Sequence, residues 1–231
     1  MTTALLSTTY FGPVQWYQKL VRYDQAVIDP NECFVKQTYR NRCQIATTNG
    51  VQSLTVPVVH DQPSAQHSPL STLRSHLSPV SSPLIRSIRI SDHGNWRHLH
   101  WNALASAYGE SPFFEYYADD IRPFFERRWE YLYDFNMEIT LKMCELLDIN
   151  DPFQTIPNEG GLEGAVADFR ETIRPKHPLP DAEFSSKPYY QVFQQKHGFL
   201  PNLSILDLLF NMGNESIFFL IPNSYLLTPI S

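Results

Sequence analysis

The sequence predicts a single α/β domain spanning residues 1–231: a mixed sheet with a β–α–β start and a hairpin, followed by a mainly helical segment. Three observations predict it. Strand-like and amphipathic stretches alternate over the first thirty residues. An Asn49-Gly50 pair separates two β-rich runs, and residues 96–149 carry apolar residues at helical spacing.

TTALLSTTYF reads as the first strand, Gly12-Pro13 as a turn, VQWYQKLVRY as a short amphipathic helix and QAVID as a second strand. Such an opening favours a parallel pair joined by a crossover helix. In FVKQTYRNRCQIATTNGVQSLTVPVV, Asn49-Gly50 fits the central positions of a type I′ turn, where both residues need positive φ. Residues 60–83 are rich in Ser and Pro and show no period, so a flexible insertion loop is expected, with His60, His67 and His76 solvated. LIRSIRIS then looks strand-like. NWRHLHWNALASAY is expected to be a helix capped by Asp92 or Asn95. PFFEYYADDIRPFFERRW is a second helix that Pro123 must kink or break, because proline has no N–H to donate. LYDFNMEITLKMCELLDI is a third, with Met137, Leu141 and Cys144 beside Ile139, Met143 and Leu146 on its apolar face. GGLEGAVADF reads as a mobile loop. LSILDLLFNMG is a short buried helix between a Ser204 or Asn202 cap and Gly213, and residues 221–231 form a tail.

Bulk properties narrow the function classes. Hydrophobic residues at 42% and charged residues at 18% belong to a globular chain. A net charge of −6 and a pI near 5.7 argue against nucleic acid as a partner, which needs a basic face. Cys33, Cys43 and Cys144 form no CxxC pair, so reduced thiols in a cytoplasmic protein are expected. No apolar run reaches the roughly 18–20 residues of a membrane span. P-loop, GxGxxG and GxSxG motifs are missing, which disfavours P-loop nucleotide hydrolysis and serine-hydrolase chemistry.

Four stretches carry candidate chemistry. In DHGNWRHLHW, residues 92–101, helical spacing puts Trp96, His100, Ala103, Leu104 and Ala107 on one apolar side, while His98 and Trp101 point elsewhere. His98 and His100 cannot readily chelate one ion, and HExxH is missing, so no metal is expected. His100 is either a hydrogen-bonded core residue or a general base at a pocket, and His93 is a second candidate at the helix entrance. The second stretch, 36–42, would place Lys36, Thr38, Arg40 and Arg42 on one side if extended, a stripe suited to phosphate or carboxylate; a charge-protected edge strand would look the same. The third is Asp168-Phe169-Arg170-Glu171 with Arg174, Lys176 and His177, either a ligand-closing segment or a solvated charged loop. The fourth, Tyr189, Tyr190, Gln191, Gln195 and His197, suits a saccharide as well as it suits simple packing. Cys43 beside Arg42 is a nucleophile or an inward strand cysteine.

Several blocks together resemble the WbqC-like family: YFGPVQWYQKL, KQTYRNRCQIATTNGVQSLTVPV, RISDHGNWRHLHWNALASAYGESPFFEYYADDI, DFRETIRPK and YYQVFQQKHGFLPNLSILDLLFNMG. They run in order from about residue 5 to 220. The chain departs from the family in its longer 60–83 loop and in NMGNES, which puts Met212 where an acidic residue is usual. The resemblance implies a role in lipopolysaccharide or surface-polysaccharide (O-antigen) synthesis and a small-molecule substrate, with transfer of an acyl or aminoacyl group to a nucleotide- or carrier-linked amino sugar. It supports Lys36, Arg40, Asn41, Arg42 and Trp96 as substrate-binding residues and His100 or His93 as the base, to which the third and fourth stretches add Arg170 and Tyr190; the cofactor stays open. Two alternatives stay open. One is a nucleotidylyltransferase-like enzyme, although Gly12-Pro13-Val14-Gln15 has no histidine. The other is a non-catalytic scaffold module.

Overall fold

A computed structural model describes residues 2–59, 82–150, 153–155 and 165–221. The chain opens with β1 (Thr2–Leu6), α1 (Val14–Arg22) and β2 (Gln25–Ile28), and β1 pairs with β2 in parallel from Thr3↔Gln25 to Leu6↔Ile28. β3 (Arg42–Thr47) and β4 (Gly50–Thr55) form an antiparallel hairpin, which stands as its own two-stranded sheet. The turn differs from the expected type I′. Only Gly50 takes a positive φ, 96°, and it pairs with Thr47, so Thr48 and Asn49 make the turn and Gly50 begins β4 in unbroken register.

The helical segment comprises α2 (Trp96–Tyr108), α3 (Phe114–Ile121), α4 (Pro123–Glu126) and α5 (Leu132–Leu146). Pro123 divides α3 from α4, taking the first position of the new helix. On α5 the buried face is Leu132, Phe135, Asn136, Ile139, Thr140, Met143 and Cys144, whereas Leu141, expected inside, is 50% exposed. LIRSIRIS is not a strand: Ile85–Ser87 is a 3-10 turn, with isolated bridges Cys33↔Leu84, Val58↔Ile90 and Arg89↔Tyr131. β5 (Gln154–Thr155) and β6 (Ala165–Asp168) follow. The expected loop 160–169 therefore holds a strand, since 165–168 pair with β1; residues 160–164 lie outside the described residues, as do 60–81 of the insertion and 222–231 of the tail. Last come α6 (Gln194–His197), α7 (Ile205–Met212) and α8 (Ser216–Leu220). Ser204 caps α7, its side chain accepting from the Leu206 N–H, and Gly213 ends the helix at φ 55°.

The four-stranded sheet has the order β5-β2-β1-β6, all parallel. β1 lies inside it and is buried from Thr3 to Leu6, as a parallel strand covered on both faces must be. Helix α1 is buried consecutively from Val14 to Leu20, which its amphipathic sequence did not announce. The reason is distant: Asp181 meets Lys19 Nζ at 2.8 Å, with both side chains nearly inaccessible. The aromatic richness of the sequence fills a continuous cluster in which Tyr10, Phe11, Trp96, Phe124, Phe125, Trp129 and Phe135 pack ring to ring. Among the described residues no helix is long and apolar enough to cross a membrane.

Candidate functional site

Loops leaving the carboxyl ends of parallel strands line the crevice where open α/β sheets take ligands, above all where successive connections diverge. Here that point is the end of β1, with β2 on one side and β6 on the other. The edge is aligned by backbone bonds, Asp29 N–H donating to Leu6 O and Phe169 N–H to Leu5 O. Arg170 bridges it: Nε and Nη2 donate to the Asp168 carboxylate at 3.0 and 2.7 Å, and Nη1 donates to Asp29 Oδ2 at 2.7 Å. The Arg170 guanidinium holds the Asp168 carboxyl below the usual range.

Beneath this bridge lies a buried ion pair. Glu32 Oε2 accepts from Arg40 Nη2 at 2.5 Å and from Ser7 Oγ at 2.8 Å, and both charged side chains are 4% exposed. Burial nevertheless pushes the Glu32 carboxyl up, against the pull of Arg40. Glu32 Oε1, Arg40 Nε, Thr8 Oγ1, Thr9 Oγ1 and Tyr133 OH are buried without a hydrogen-bond partner among the described residues. Burial, with Asp134, Asp29 and Glu32 as neighbouring carboxylates, pushes the Tyr133 phenol up to about 12.

The loop Ser7–Pro13 that supports this edge is buried throughout. Trp16 Nε1 donates to Ser7 O, and a Cβ on Gly12 would sit 2.4 Å from Thr9 Oγ1, so glycine is required by close approach. Phe11, between Tyr10 and Gly12, takes a strained φ of 41°. The entrance of α1, where many nucleotide-binding folds seat a phosphate, is occupied by the chain itself. Val14 N–H donates to Leu203 O and Gln15 N–H to Asn202 Oδ1.

A sequence model of the WbqC-like protein family matches residues 8–165. The chain belongs to the WbqC-like protein family. It is also similar to the uncharacterized protein Rv1507c of Mycobacterium tuberculosis (strain ATCC 25618 / H37Rv), with 25% identity over 242 residues, covering 92% of this chain and 94% of that protein. No solved structure matches. Thr8, Thr9, Asp29, Glu32, Arg40 and Tyr133 of this WbqC-like protein fall within the family span.

The WbqC-like protein brings two of the four sequence-predicted stretches together. Lys176 Nζ lies 3.3 Å from Gln37 Oε1, so the 168–177 segment meets the 36–42 segment beside the sheet edge. The expected stripe is not formed, because Gln37 takes φ 61° and breaks strand alternation. Lys36 is exposed and Arg40 points inward to Glu32. Asn41 Nδ2 donates to Val56 O, and Arg42 Nε donates to Thr55 Oγ1.

DHGNWRHLHW follows its spacing except at Trp101, which is half-buried against Phe114 and Phe125. Trp96 and His100 are buried and His98 is exposed. His100 Nδ1 lies 2.9 Å from the Tyr10 hydroxyl, among the rings of Tyr10, Trp96 and Phe125. Burial drives its pKa down to about 4, leaving it neutral at pH 7. His93 is exposed, its backbone N–H donating to Ser91 Oγ. Asn95 occupies the cap position without a side-chain bond. Tyr190 is 53% exposed, on a segment whose inward residues Tyr189 and Gln191 bind the buried Asp207 carboxylate. Cys43 is buried, and that burial raises its thiol, the opposite of what a nucleophile needs. Sequence reasoning missed Ser7, Asp29, Glu32 and Tyr133. Asp29 and Glu32 carried a readable signal, two carboxylates at and just beyond the end of the second predicted strand.

Proposed function

We propose that this WbqC-like protein is a cytoplasmic transferase of lipopolysaccharide or surface-polysaccharide biosynthesis, passing an acyl or aminoacyl group to the amine of a nucleotide- or carrier-linked amino sugar. The observation that carries the proposal is the convergence at one sheet edge of Ser7, Asp29, Glu32, Arg40, Asp168 and Arg170, from three strand ends and the turn that follows. Lys36 and Lys176 are exposed cations suited to phosphate, while the Arg170 fork is engaged by Asp168 and Asp29 and holds the edge together. Arg40 and Ser7 position Glu32, a buried carboxylate of raised pKa and hence a better proton acceptor than an ordinary one. His100 has a supporting role, holding the loop after β1 through Tyr10.

The non-catalytic scaffold reading draws on the same histidine, because a neutral, walled-in His100 offers no accessible base. The nucleotidylyltransferase reading loses its usual phosphate seat to the 202–203 segment. A thermal-shift screen against UDP- and CDP-linked sugars, coenzyme A and free nucleotides decides among them. A sugar nucleotide should raise the melting temperature by mass action, and Arg170→Ala should abolish that shift. Stabilisation that survives Arg170→Ala would place binding elsewhere, and none with any sugar nucleotide would leave the scaffold reading.

A further inference from the structure

The sheet-edge site carries one carboxylate in excess around a buried Glu32–Arg40 pair and exposed lysines at its rim. Its floor is the Glu32–Arg40 pair, each side chain 4% exposed. Both protein donors end on the same oxygen of Glu32, since Ser7 Oγ and Arg40 Nη2 each bind Oε2. Oε1 has no partner among the described residues, although it is buried. A carboxylate oxygen removed from water without a donor is costly, more so than a neutral acceptor. Tyr133 OH, close enough for the Glu32 charge to raise its pKa, is likewise buried and unpartnered.

Charge decides what kind of donor fits. Asp29, Glu32 and Asp168 are paired with Arg40 and Arg170, which leaves one negative charge uncompensated. Towards solvent the sign reverses, because Lys36 and Lys176 are exposed and Lys176 Nζ reaches Gln37. A ligand complementary to both has an ammonium at one end and a phosphate at the other.

We infer that Glu32 is the specificity-determining residue of this site, its Oε1 accepting a hydrogen bond from the ligand's amino group while the phosphate lies at the Lys36–Lys176 rim. This rests on the sheet-edge reading above and adds to it a selection for amine over hydroxyl, which a charge-assisted bond supports.

The test is calorimetric titration at pH 7 with three probes: glucosamine 1-phosphate, glucose 1-phosphate and N-acetylglucosamine 1-phosphate. All three carry the phosphate and only the first carries an ammonium. Glucosamine 1-phosphate should bind about tenfold more tightly than the other two, and Glu32→Gln should remove that preference. Equal affinities in the wild type would overturn the selection while leaving the sheet-edge site standing. Preference that persists in Glu32→Gln would overturn the assignment to Glu32. No binding of any probe would overturn the sheet-edge reading and this inference with it. Should Glu32→Gln fail to fold with Arg40 uncompensated, Glu32→Gln/Arg40→Gln removes both buried charges and takes its place.

Discussion

Acidification singles out His100. Its pKa falls from 6.5 to about 4 because burial disfavours the imidazolium. The unfolded chain takes up the proton first, so the stability tied to the neutral ring is fully present above pH 6.5 and is lost as the pH falls towards 4. The gap corresponds to about 3 kcal/mol, at ~1.4 kcal/mol per tenfold step. Urea unfolding of wild type and His100→Gln at pH 7 and pH 4 measures it. Glutamine has no titrating proton and can still bond Tyr10, so the wild type should lose about 3 kcal/mol more than the variant on acidification. Glu32 and Asp207, whose carboxyls burial pushes up, act with the opposite sign and are common to both proteins, so they cancel in the subtraction. Parallel pH curves, or an NMR titration placing His100 near 6.5, would refute a sealed histidine and restore it as an accessible base.

Other consequences are separately measurable. Gly12→Ala drives a Cβ to 2.4 Å from Thr9 Oγ1 and should cost about 1–3 kcal/mol by urea melt, with part recovered by Thr9→Ala. Asp181→Ala leaves Lys19 buried without its nearest partner and should cost roughly 3–5 kcal/mol, whereas Lys19→Met/Asp181→Leu should recover much of it. Tyr189→Phe removes one of three donors to the Asp207 carboxylate, beside Tyr108 and Gln191; a loss of about 1.5–3 kcal/mol is expected in chemical denaturation.

Local periodicity reached as far as local physics governs. The β1–α1–β2 opening, the inward set Trp96, His100 and Leu104, and the break at Pro123 depend on neighbours within a few residues, and each was legible. Strand β6 was not, because Ala165–Asp168 is short and becomes a strand through pairing with β1 at the far end of the chain. Burial of Lys19 likewise needs Asp181, a partner 162 positions away. At the candidate site the charged segments 36–42 and 168–177 were visible by composition, but their meeting was not. The αL residue Gln37 turned an imagined stripe into a turn with Arg40 inside and Lys36 outside.

The central claim is that ligand binds at the carboxyl edge of the parallel sheet. Hydrogen–deuterium exchange with and without UDP-glucosamine tests it most directly. Added protection should fall on residues 7–13, 29–41 and 165–176 together. Protection confined to the cleft of about 250 Å³ lined by Arg97, His98, Trp101 and Arg122 would contradict it and move the site to the entrance of α2.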